Sequence, residues 1–172
     1  MNTPGHHGTR RLGRIMSWLS ALALLGVLWL FFSDQVDRRL NPNRNLEVAP
    51  GSRELVLQRN RMGHYVAPGT INGQPVSFLL DTGATQVSVP AHLGSVLGLQ
   101  AGTPAQVSTA NGNVTVRMTI IDELALGPFV ARQIRGDLNP GMRDDQVLLG
   151  MSVLKHLEFV QRGDTLILRA PE

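Results

Sequence analysis

Hydrophobic and polar residues follow three successive patterns along this chain. From Ile15 to Phe32 the sequence is apolar without interruption and carries no charge, IMSWLSALALLGVLWLFF. A helix of that length rises about 27 Å, close to the hydrocarbon thickness of a bilayer. From residue 33 to 52 the pattern turns polar and includes Asn41-Pro42-Asn43 and Pro50-Gly51, which predicts a tether. From residue 53 to 172 short β-rich runs are broken by Gly, Asn and Pro, the spacing of a small barrel or sandwich.

Within that third region, Glu54 to Arg59 and His64 to Ile71 are expected as the first strands. Asn72-Gly73 suits a tight hairpin turn, and Val76 to Leu80 returns as a strand. Thr103 to Thr109 and Val114 to Leu126 flank a second such pair, Asn111-Gly112, and predict a long projecting hairpin. Two short helices are expected. Pro90 to Leu97 has proline at its start and Gly98 past its end, and Met151 to Leu157 follows a strand near Val147. Glu158 to Gln161 and Thr165 to Arg169 form a terminal hairpin through Arg162-Gly163-Asp164, where Gly and Asp serve the reversal rather than an adhesion motif. The fold class is all-β, one lobe with one or two short helices, preceded by one transmembrane helix.

The apolar run has two rival readings, a cleaved signal peptide and a buried core helix. Arg10, Arg11 and Arg14 precede it as they would in a signal peptide. The run is long for that role, however, and no small-x-small site follows Phe32, so 15–32 is read as an uncleaved anchor. The positive-inside rule sets Arg10, Arg11, Arg14 and the amino terminus against Arg38, Arg39 and Arg44. The first set lies closer to the span, and the second shares its segment with Asp34 and Asp37. Residues 1–14 are therefore expected as a basic cytoplasmic N-terminus, with the globular domain on the far side.

Bulk composition narrows the chemistry. At 172 residues and 42% hydrophobic, the chain can bury one ordinary core, which excludes a bilobal enzyme. It has no cysteine, so a disulfide framework, a thiolate zinc site and a cysteine nucleophile are excluded. The net charge of +3 arises in residues 1–49, which hold six arginines against Asp34, Asp37 and Glu47; residues 50–172 balance ten Lys/Arg with ten Asp/Glu. The globular part thus lacks the clustered positive face that nucleic acid requires. His6 and His7, adjacent and without a nearby carboxylate or thiol, make a poor metal site. No metal or cofactor is expected.

The informative segment is Phe78-Leu79-Leu80-Asp81-Thr82-Gly83-Ala84-Thr85, an acid at the mouth of an apolar strand. Burial penalises an ionised carboxylate, so such an acid must be hydrogen-bonded, paired or functional. Gly83 lets a backbone N–H approach the carboxylate, and Thr82 offers a hydroxyl able to bond across to a neighbouring chain. Asp-Thr-Gly alone is a weak signal, arising by chance in roughly one chain in thirty of this length.

With its flanks, the sequence resembles the retropepsin-like aspartic proteases from about Arg53 to Leu168. Three elements match in order: Leu79-Leu80-Asp81-Thr82-Gly83-Ala84-Thr85 as catalytic loop, the hairpin around Asn111-Gly112 as flap, and Val147-Leu148-Leu149-Gly150 leading into the Met151 helix. The upstream span, the Asn-Gly hairpin and Leu148-Leu149-Gly150-Met151-Ser152 look most like the membrane-anchored bacterial members, which implies a bacterial inner membrane and a periplasmic protease domain over 53–172. The resemblance implies a single-lobe acid-protease barrel and a homodimer in which Asp81 of each copy forms the catalytic pair. It implies that Thr82, Gly83 and Ala84 support the loop, and that Thr109, Ala110, Asn111, Gly112 and Asn113 form a flap over a peptide or protein substrate. Where viral members pair an acid with an arginine, this chain has the neutral Thr85 and Met151, and its flap is poorer in glycine.

Other candidates are read more plainly. Asp144-Asp145 is a solvated loop, since adjacent residues point apart on an extended chain. His64, His92 and His156 lack a serine in a nucleophile elbow and an acid partner at suitable spacing. Met62, Met118 and Met142 are read as core or loop residues, and Asn113-Val114-Thr115 as a coincidental glycosylation pattern in a hairpin arm. The alternative function is a catalytically silent dimerisation or peptide-binding module of the same fold in the cell envelope, holding an extended strand by β-addition.

Overall fold

The computed structural model describes residues 7–46, 48–49, 51–109 and 112–171. His6, Ala110 and Asn111, singled out above, lie outside the described residues. The chain divides into two compact units, residues 1–38 and 39–172.

The first unit is helical. Helix α1 runs His7–Leu40. Its segment Gly13–Ser33 is long and apolar enough to cross a membrane, a property shared by signal sequences near an N-terminus. Trp18 and Trp29 and the leucines between them are exposed, unlike the side chains of a buried core helix. The helix outlasts the apolar run and ends where Pro42 bars α conformation at the preceding residue.

Residues 33–52 therefore differ from the expected tether, being helical to Leu40 and, over part of the remainder, packed within the second unit. Asn43 is only 5% exposed. Its Oδ1 accepts from the Gln58 amide at 2.8 Å, and its Nδ2 donates to the carbonyls of Gln58 at 2.9 Å and Val66 at 2.8 Å. Leu46 and Val48 pack against the core beside it. An Asn-Pro-Asn segment reads as a turn from sequence. Only the tertiary partners reveal it as a clamp.

The second unit is mostly β. In chain order it comprises β1 Glu54–Gln58, β2 Tyr65–Ile71, β3 Gln74–Leu80, β4 Val87–Pro90, β5 Pro104–Thr109, β6 Gly112–Leu126, β7 Phe129–Asn139, β8 Gln146–Leu149, helix α2 Met151–Leu154, β9 Glu158–Arg162 and β10 Thr165–Arg169. The strands β2-β3-β8-β4-β7-β6 follow one another around a sheet that closes where β2 pairs β6 at Thr70–Ala125 and Ile71–Leu124. A six-stranded barrel results, with β5 extending from β6 as the outer arm of a hairpin. A separate sheet, β1-β10-β9, turns Leu55, Leu57, Leu166 and Leu168 into the common core with Phe78, Ile121, Leu124 and Leu149. Closure demands a glycine at position 69, where a Cβ would lie 2.4 Å from the Ala125 carbonyl and 2.6 Å from the Phe78 ring.

Local turn chemistry accounts for the hairpins. Asn72 and Gly73 both have positive φ, 50° and 77°, as a two-residue turn of the right twist requires. Gly163 at φ 59° turns the terminal hairpin. The helices are shorter than expected: Pro90 to Leu97 yields a single 3-10 turn at Ala91–Leu93, and Met151 to Leu157 yields the one-turn α2. Pro90 instead ends β4, and its neighbours Val87–Val89 are buried between β7 and β8.

Candidate active site

The chain leaves β3 at Leu80, passes over the end of β8, and re-enters the sheet as β4 on its other side. β8 pairs β3 in parallel on one side and β4 antiparallel on the other, so it is flanked by the two strands that the loop 81–86 joins. That crossing fixes the loop. The Asp81 amide donates to the Leu149 carbonyl at 3.1 Å, the Met151 amide to Ala84 at 2.8 Å, and the Ser152 amide to Thr85 at 2.9 Å. Gly150 lies beneath it, where a Cβ would stand 2.3 Å from the Gln86 carbonyl and 2.7 Å from that of Ala84. No other residue fits there.

Asp81 is held at the strand end with its carboxylate turned back over its own loop. Oδ1 accepts from the Gly83 amide at 2.8 Å, and a Cβ on Gly83 would sit only 3.1 Å from that oxygen. Asp81 is half-buried in the single chain, not enclosed as an apolar strand mouth suggests. Thr82 is exposed, and its hydroxyl forms no hydrogen bond among the described residues.

A cavity of about 500 Å³ opens above the carboxylate. Asp81, Gly83 and Ala84 form its floor, Ser108, Thr109 and Val114 of the β5–β6 hairpin one wall, and Asn139, Gly141, Met142 and Leu148 the other. Thr109 closes its own hairpin by donating to the Gly112 carbonyl at 2.8 Å. Of the residues picked out from sequence, Asp81, Gly83, Ala84 and Thr109 line the cavity. Thr82, Gly112 and Asn113 do not, and the last two sit beyond it on the hairpin.

The wall at 139–142 went unread, and Met142, expected as an ordinary core or loop residue, lines the cavity. Asn139-Pro140-Gly141 was a visible turn signal; its Asn139 Oδ1 accepts from the Gly141 amide at 2.8 Å. What placed that turn beside Asp81 was β7, eleven residues that carry Arg132, Gln133 and Arg135 in mid-strand. Behind the same wall, Asp137 is 2% exposed and unforeseen: it accepts from Ser88 Oγ at 2.7 Å and Gln86 Nε2 at 2.9 Å. His92, expected to lack an acid, meets Asp145 at 2.8 Å on the surface, with no serine hydroxyl bonded to either among the described residues.

Known proteins resemble this chain. Residues 67–156 match the family described as "gag-polyprotein putative aspartyl protease". An uncharacterized protein from the cobV 5′ region of a Sinorhizobium species is 31% identical over 95% of this chain and 76% of its own length. An uncharacterized protein of Rickettsia prowazekii is 28% identical over 67% of this chain and 51% of its own. Among solved structures, a retropepsin-like aspartic protease from Rickettsia conorii superposes with a TM-score of 0.55 at 26% identity, covering 68% of this chain and 90% of that one.

Proposed function

The chain belongs to the retropepsin-like aspartyl protease family, and on that premise we propose that it is an aspartic endopeptidase that works as a homodimer, each copy supplying Asp81. The observation that carries this reading is a single carboxylate on the floor of a cavity of peptide-binding size, with an unbonded Thr82 hydroxyl beside it. A lone acid cannot serve as base and acid at once. A second copy, apposed at this face, brings the missing partner and something for Thr82 to bond.

Two carboxylates at close range cannot both ionise, so the pair holds one proton between them. The ionised member takes a proton from a water lodged between them, and that water attacks the peptide carbonyl. The protonated member donates to the developing oxyanion, and a proton then passes to the leaving amine. Gly83 N–H holds one Asp81 oxygen in place throughout. The hairpin of residues 109–113 serves as a flap that shuts water out of the cleft.

Residues 15–32 anchor the enzyme in a bacterial inner membrane with residues 1–14 in the cytoplasm and the barrel in the periplasm, a placement supported by Arg10, Arg11 and Arg14 beside the span. Confinement to a membrane raises the encounter rate of weakly pairing copies. The test is cleavage of a diverse peptide library by the full chain in detergent, beside Asp81→Asn and with an active-site-directed aspartic-protease inhibitor. Cleavage that the mutation and the inhibitor both remove supports the reading. Silence from a demonstrably dimeric sample defeats it and favours the silent binding module.

A further inference from the structure

Asp137 is a buried acid that the peptidase chemistry does not use. It projects from β7 at 2% exposure and accepts from two neutral donors, Ser88 Oγ at 2.7 Å and Gln86 Nε2 at 2.9 Å. Among the described residues no Lys, Arg or His lies within ion-pair distance of it. The other groups touching its two donors are the thioethers of Met118, 3.7 Å from Gln86 Nε2, and Met142, 3.5 Å from Ser88 Oγ, and the amide of Asn139, 3.5 Å from the same hydroxyl. A carboxylate taken out of water without a cation is costly, and neutral donors offset only part of that cost.

The position of the acid says where its cation can come from. Asn139 and Met142 both line the cavity over Asp81, and both touch Ser88, which touches Asp137. Two contacts therefore separate the cavity from the acid. The relay is oriented: the Gly141 amide donates to Asn139 Oδ1, Asn139 Nδ2 to Ser88 Oγ, and Ser88 to Asp137. Every donor in it points inward, away from the cavity and toward the carboxylate. Met142, unbranched and flexible, is the side chain best able to move aside along this line.

We propose that Asp137 is a specificity-determining residue, and that through the Asn139–Met142 wall it selects a peptide substrate bearing a lysine or arginine side chain at the position lodged there. The inference rests on the peptidase reading above. A cation brought against that wall completes the charge balance of the buried acid. An apolar side chain of equal length leaves it as it was. At the effective dielectric of such sites the difference is worth about tenfold or more in kcat/KM.

The experiment compares the full chain in detergent on a peptide series in which each position in turn carries lysine or norleucine, which match in length and differ in charge. The readout is the lysine-to-norleucine ratio of kcat/KM, from which any common loss of folded enzyme cancels. The expected result is a ratio of about ten at one position, falling to near one in Asp137→Asn. Met142→Ala, which opens the path to the acid, should raise the ratio and stands as the test if the Asn variant fails to fold. A ratio near one in the wild type, a ratio unmoved by Asp137→Asn, or one lowered by Met142→Ala overturns this inference while leaving the peptidase intact. Failure of the wild type to cleave any peptide of the series or of a diverse library overturns both.

Discussion

Asp81 and Asp137 are two acids on strands or strand ends of one barrel, treated in opposite ways. Asp81 sits at a strand end, half-buried, with one backbone donor on one oxygen and an open cavity before it. Asp137 sits within a strand, almost fully enclosed, with a side-chain donor on each oxygen. The first is fixed through main chain and left short of side-chain partners. The second has neutral side-chain donors on both oxygens and is walled in. The contrast fits the roles proposed for them: a side chain proposed to exchange protons is held by groups that do not titrate and left open to its reactant, and one proposed only to project a field is sealed behind a wall.

The comparison breaks most readily at Asp81. Asp81→Asn keeps the shape and the Gly83 contact but removes the titrating group, so cleavage should fall by more than about a thousandfold while the unfolding midpoint stays within experimental error. If stability falls instead, Asp81 is structural and the contrast with Asp137 fails. Gly150→Ala attacks the frame and not the acid: the new methyl meets the Ala84 and Gln86 carbonyls, and denaturant unfolding should show a loss of about 3 kcal/mol or more, with activity lost as well.

Asp137→Ala should behave as the buried member of the pair. It leaves the Ser88 hydroxyl and Gln86 amide only the weak thioether acceptors of Met142 and Met118, a loss of about 2–3 kcal/mol by the same measurement. Asn43→Ala offers a control at a side chain that bonds neither acid. Removing three hydrogen bonds to Gln58 and Val66, the last of them buried, should cost about 2 kcal/mol in unfolding of the full chain, with kcat unchanged in the folded fraction. The smallest effect on the fold is expected of Thr82→Ala, less than about 0.5 kcal/mol, because the exposed hydroxyl bonds nothing in one copy. Its consequence should appear in sedimentation as weaker self-association.

What could be read from sequence was what neighbouring residues settle among themselves. The turns at Asn72-Gly73 and Gly163 follow from left-handed backbone that Asn and Gly tolerate, and the alternation of Leu55 and Leu57 places β1 on the core. The Asp-Thr-Gly loop was legible for the same reason. β7 was not, because Arg132, Gln133 and Arg135 face solvent while Gln133 adopts φ 53° and breaks the period-two pattern. β4 was hidden by Pro90, which serves equally as a helix start and a strand end. The clamp at Asn43 and the partners of Asp137 depend on groups far along the chain, and a hydrogen bond between distant positions leaves no local periodicity. Half of the cavity wall was lost with β7, since the turn at 139–142 acquires its meaning only from where that strand delivers it.

The passage of the loop 81–86 over the end of β8 also sets an order of events in synthesis. Asp81 leaves the ribosome well before its frame, for the carbonyl that its amide bonds belongs to Leu149, and the amides that hold Ala84 and Thr85 belong to Met151 and Ser152. Until those residues emerge the acid belongs to an unframed coil. Contacts of such long sequence separation form late and slowly. A loop framed this way holds its acid in place only once β8 and α2 have been made.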